Sequence, residues 1–155
     1  MRGWKKWVAV TVVVGAVSFA LTPAIWPQPA NINPGGYLPF FVFLSVLESL
    51  AFGLGVAFLA FGYPLIAGRG NSQPLNIAAY LATGWFLVNW SPHDNLHKVV
   101  QFNIAPLLTV EYGFHVTLMA AGAILALFFF RTLSERTTVA AVEHEPHTAQ
   151  EPASI

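Results

Sequence analysis

Apolar residues fall along this chain in four long runs, each closed by residues that break helices. The runs cover about residues 7–26, 37–66, 75–90 and 107–130. A helix needs roughly 20 apolar residues to cross ~30 Å of hydrocarbon. The first, second and fourth runs meet that length with ease. The third is near the lower limit and relies on the segment after Trp90 to finish a crossing. Pro27, Pro29, Asn33, Pro34, Gly35 and Gly36 make the first connection a turn-rich loop, and residues 68–74 make the second. Pro92 and Pro106 bracket the third connection. Trp26, Tyr37, Tyr63 and Trp90 lie near span ends, where an interfacial aromatic belt belongs. The pattern predicts an all-α integral membrane bundle of four transmembrane helices over residues 1–136.

Composition agrees. The 155 residues are 55% hydrophobic and 9% charged, against about 25% charged in soluble domains. A water-soluble globule of this composition has too few charges to cover its surface. Zero formal net charge gives no reason to expect a nucleic-acid partner. The expected surroundings are a lipid bilayer, with a homo-oligomer or a larger membrane complex as the possible assembly. No cysteine is present, which excludes disulfides, iron–sulfur clusters and thiolate metal sites.

The cations orient the spans. Arg2, Lys5, Lys6, Arg69, Arg131 and Arg136 fall on one side of a four-span alternation, and Lys98 alone falls on the other. The positive-inside rule then puts both termini in the cytoplasm of a cell with the protein in its plasma membrane. It also puts the loop from Ser91 to Pro106 outside. The basic start and apolar core of the first run also fit a signal peptide. The run continues to Ile25 without a polar region, so an uncleaved span is the expectation. Residues 137–155 lack apolar periodicity and read as a disordered cytoplasmic tail.

Against this background the ionisable residues stand out. Such groups are costly inside a membrane and usually functional there. Ser91 as N-cap, Pro92 at the first helical position and Asp94 in the first turn predict a short extracytoplasmic surface helix. His93 and His97 then lie one turn apart on one face, a spacing with which two imidazoles chelate one metal ion. Asp94 is a ligand or the acceptor that orients a ring. Glu111 and His115 are also one turn apart, with His115 ~12 Å below the outer end of the fourth span. Glu48 lies ~16 Å below Tyr37 on the second span, at a similar depth. Ser45 and Ser49 are its nearest polar neighbours in sequence. The small residues Ala51, Gly53 and Gly55, and those at 120–123, suit close helix packing.

The candidate metal ligands are therefore His93, His97, His115, Glu111, Glu48 and Asp94. Imidazoles with carboxylates suit zinc, copper or iron, and axial histidines also suit a haem. The leading expectation is a small membrane protein with an extracytoplasmic His/carboxylate site in a redox or metal-handling system. One alternative is a cofactor-free structural or assembly subunit that uses these groups as interhelical hydrogen bonds. Another is a proton or ion pathway through Glu48, Glu111 and His115 in an oligomer. No phosphate loop, nucleophile elbow or His-Glu-x-x-His pattern is present, and no reaction is specified.

Overall fold

The computed structural model describes residues 3–27, 33–69 and 71–143. The described chain is all-helical: α1 (Gly3–Ile25), α2 (Leu38–Phe61), α3 (Tyr63–Ala67), α4 (Gln73–Val88), α5 (Trp90–Val100) and α6 (Ile104–Glu143), with a 3-10 turn at Gly35–Tyr37. Three segments are long and apolar enough to cross a membrane: Gly3–Ile25, Gly35–Phe61 and Ile104–Glu135. The predicted second run is split at Gly62, because Pro64 has no N–H to continue the ladder and its ring crowds the preceding turn. α6 runs on to Glu143, past the expected start of the tail at residue 137, while residues 144–155 of that tail lie outside the described residues.

The helices stand in chain order as an open row. Among the described elements, α1 packs only on α2, and α6 packs only on α4 and α5. α2 is the inner member, with α1 on one side and α4 and α5 on the other. Two glycines set its distance to each neighbour. A Cβ at Gly53 would collide with the Thr11 carbonyl and lie 2.8 Å from the Gly15 nitrogen. A Cβ at Gly55 would lie 2.5 Å from a Val88 methyl and 2.9 Å from Leu87. Close backbone approach between apolar helices gains dispersion contacts that lipid offers less well.

α4 and α5 are one path with a break at Asn89. The Asn89 N–H still bonds the Trp85 carbonyl at 3.0 Å, and the His93 N–H bonds the Asn89 carbonyl at 2.9 Å. Pro92 supplies no N–H in between. The expected cap at Ser91 does not form: α5 starts at Trp90, and Asn89 precedes it in helical geometry (φ −79°, ψ −22°) with no side-chain cap bond. A chain arriving already helical from α4 has no extended residue to act as a cap. α5 packs against α2 on one side and α6 on the other. It ends at Gln101, at φ 48° and ψ −125°, and a short turn sends the chain back into α6.

Antiparallel pairing fixes the register. Asn71, just before α4, donates through Nδ2 to Thr132 Oγ1 of α6 at 2.7 Å. Trp85 Nε1 donates to Thr117 Oγ1 at 3.1 Å further along. The Tyr80 hydroxyl donates to the Leu59 carbonyl, tying α4 to α2.

Gly53→Leu is expected to lower stability by about 1–3 kcal/mol, as overpacking does. Gly113→Ala meets nothing within 4 Å of the new Cβ and should be neutral or stabilising by up to ~1 kcal/mol through helix propensity. Thermal unfolding of both variants in one detergent checks the contrast.

Candidate functional site

α5 carries two polar faces, because residues four apart share a face and adjacent residues are turned by about 100°. His93 and His97 make one face and meet α6. Asp94 and Lys98 make the other and act on Glu48 of α2.

The α5–α6 face is a continuous chain of polar contacts. His93 Nε2 and His97 Nε2 lie 2.9 Å apart. His97 Nε2 is 3.4 Å from Glu111 Oε1. His115 Nδ1 is 2.6 Å from Glu111 Oε2. The His93 ring also packs edge-on to that of His115, with centroids 5.0 Å apart. Its flank is aromatic: Phe114 lies 5.0 Å from His93 and stacks on Trp85 at 5.8 Å. The cluster is open on one side, with the His115 side chain 50% and the Glu111 side chain 38% exposed.

Four of the six predicted ligands, His93, His97, Glu111 and His115, are therefore together. Among the described residues, no three His, Asp or Glu side chains form a ready metal-ligand group. Their polar atoms are spent on one another: one imidazole nitrogen of His93 faces His97, and one Glu111 oxygen holds His115.

The other two predicted ligands, Glu48 and Asp94, belong to a separate place. Among the described residues α2 and α6 do not pack together, which keeps Glu48 from Glu111 and His115, and no hydrogen bond or ion pair joins Glu48 to His93 or His97. Asp94 pairs with the Lys98 ammonium in an i,i+4 ion pair, and both side chains act electrostatically on Glu48. Glu48 is 4% exposed, and its Oε2 has no hydrogen-bond partner. Ser49, Ser91 and Asn95 are also buried, and Asn95 Nδ2 donates to the Ser91 carbonyl at 2.8 Å. In the sequence Lys98 is the one cation on the outer side, and its partner is also legible there, because an acid four residues before a lysine is a helix-pair signal.

Glu111→Gln replaces the carboxyl group that contacts both His97 and His115. The unfolding free energy should fall by less than ~1 kcal/mol, because partly exposed pairs contribute little. The imidazole nitrogen NMR signals of His97 and His115 should both move. A response from only one of them would contradict the shared contact. No protein-family model matches this chain, and no curated protein or solved structure matches it either, so the chemistry of the cluster rests on its own geometry.

Proposed function

We propose that this is a membrane protein that binds one transition-metal ion through His93, His97, Glu111 and His115, within a redox or metal-handling system. The observation that carries the reading is the spacing of three atoms. His93 Nε2, His97 Nε2 and Glu111 Oε1 are separated by 2.9 Å and 3.4 Å along the chain of contacts. Ligand atoms on a tetrahedral ion with bonds of ~2.0–2.1 Å lie about 3.3 Å apart. An ion that displaces the proton between the imidazoles would be held by His97 Nε2, with His93 and Glu111 drawn in beside it. His115 then orients the Glu111 carboxylate or completes the sphere, and the open side leaves room for a further ligand. Zinc, copper(II) and iron suit this donor set. A simple ion fits better than a haem, because His93 and His97 come from one helix face and approach from the same side.

Four crossings are part of the same reading. α4 alone reaches ~24 Å, short of the ~30 Å hydrocarbon layer, whereas α4 and α5 together reach ~40 Å. The broken α4–α5 helix is then the third crossing. Backbone breaks at membrane depth are tolerated where they are buried in protein or line a cavity. This arrangement leaves both termini cytoplasmic and the α5–α6 turn extracytoplasmic, in agreement with the cations. Lipid or neighbouring subunits would cover the apolar faces of the open row, which include Phe40, Phe43, Met119 and Phe130.

A second reading has its own support. The contacts of His97 with His93 and of Glu111 with His115 are already satisfied hydrogen-bonding pairs without an ion. The cluster would then be interhelical glue in a cofactor-free subunit.

Metal titration of the detergent-purified protein separates the two. Zinc or copper(II) should bind one ion per chain. Affinity should fall at least ~tenfold in His97→Ala and Glu111→Ala, since losing even an indirect partner costs that much. Glu48→Gln should bind normally, because Glu48 faces away from the histidines. Acidification should weaken binding as protons compete for the imidazoles. Absence of stoichiometric binding, or binding indifferent to His97→Ala, would leave the cofactor-free reading. A Soret band in the purified protein would replace the simple ion with a haem.

A further inference from the structure

α6 packs on α4 and α5 alone among the described elements, and Val110, Ala121 and Phe128 are buried on that side. A different stripe descends the helix in steps of four and three residues: Leu108, Tyr112, His115, Met119, Gly122 and Ala126. This step keeps a stripe on one side of a helix while two helices wind around each other. All but Gly122 are exposed, Tyr112 at 68% and Met119 at 75%.

The stripe is not uniformly apolar. Tyr112 and His115 lie in it and Glu111 stands at its edge, all within the apolar segment Ile104–Glu135. Ionisable groups in a span are costly against lipid and face protein or water instead. Acyl chains can cover the wholly apolar faces of the row without that cost, but not this one.

Hydrogen-bonding capacity identifies the cover. His115 uses Nδ1 on Glu111 Oε2 at 2.6 Å, and among the described residues no partner reaches its Nε2. The Tyr112 hydroxyl has no partner among them either. A phenol both donates and accepts, so it bonds an imidazole nitrogen whether or not that nitrogen carries a proton. The stripe therefore holds both halves of a hydrogen bond in successive layers. A two-fold interface is self-complementary, so Tyr112 of each copy meets His115 of the other. Further along, a Cβ at Gly122 would have only Phe86 near it, at 3.9 Å. Packing within the single chain does not demand that glycine, whereas close approach of a second helix favours it.

We propose that the chain forms a parallel two-fold dimer along this stripe of α6. Reciprocal Tyr112–His115 hydrogen bonds join the copies toward the Ile104 end, and the backbones come close at Gly122 and Ala126. The open side of the histidine cluster then faces the interface. The dimer needs no metal ion, because it uses the His115 nitrogen that Glu111 does not hold.

Disulfide trapping of single-cysteine variants in liposomes, with EDTA present, tests this, since the chain has no cysteine of its own. A disulfide needs Cα atoms within about 7 Å. Met119→Cys and Ala126→Cys should each cross-link two copies. Ala120→Cys and Leu127→Cys, turned from them by about 100°, should do so several-fold more slowly. Tyr112→Phe should raise the dimer dissociation constant in detergent several-fold, because interhelical hydrogen bonds are individually weak but are lost here in pairs. Gly122→Leu should raise it as well, and the open space at that position leaves the single chain able to fold. A chain that is monomeric in liposomes, or that cross-links as fast at Ala120 and Leu127 as at Met119 and Ala126, would overturn the dimer. A dissociation constant unchanged in Tyr112→Phe would overturn the reciprocal hydrogen bonds, and one unchanged in Gly122→Leu would overturn the close approach.

Discussion

The close approach of α2 to both of its neighbours is the constraint on which the rest depends. Gly53 lets α1 come against one side of α2, and Gly55 lets the end of α4 come against another. Side chains at either position would push the row apart. The separation between α2 and the α4–α5 path decides whether Glu48 can reach Asp94. The missing Cβ at Gly55 thus bears directly on whether a carboxyl in the middle of an apolar helix has a polar neighbour.

The second determinant is the break at Asn89. An unbroken helix would carry its polar residues around in steps of about 100° with no change of direction. Here the path bends where Pro92 withholds its N–H, and the segment beyond it packs between α2 and α6. That segment is the most polar stretch of the described core, with Ser91 and Asn95 buried in it. Its two faces serve two neighbours. Imidazoles meet Glu111 and His115 on one side, and an ion pair meets Glu48 on the other.

Much of this is legible in the sequence, for local reasons. The pairs His93 with His97, and Glu111 with His115, follow from one-turn spacing, and both pairs are in contact. Gly53 and Gly55 are recognisable as packing positions in an apolar run. Long-range placement is harder. Similar depth along two helices suggests that Glu48 and His115 share a site, but depth carries no information about order within a row. α5 stands between α2 and α6, so the two residues belong to different seams. The aromatic shelf of Trp85 and Phe114 beside His93 was also hidden, because its pairing depends on the register of α4 against α6. The cap expected at Ser91 fails for a similar reason: the local signal is present, but the preceding helix continues into it.

The central claim is that α5 separates two polar sites. Because the chain contains no cysteine, paired cysteine substitutions test it without background. A disulfide requires Cα atoms within about 7 Å. Glu48→Cys combined with Asp94→Cys should cross-link under mild oxidation in the membrane. Glu48→Cys combined with His115→Cys should not, since α2 and α6 do not touch. Efficient cross-linking within a single chain of the second pair, with none of the first, would contradict the account and restore a single shared site.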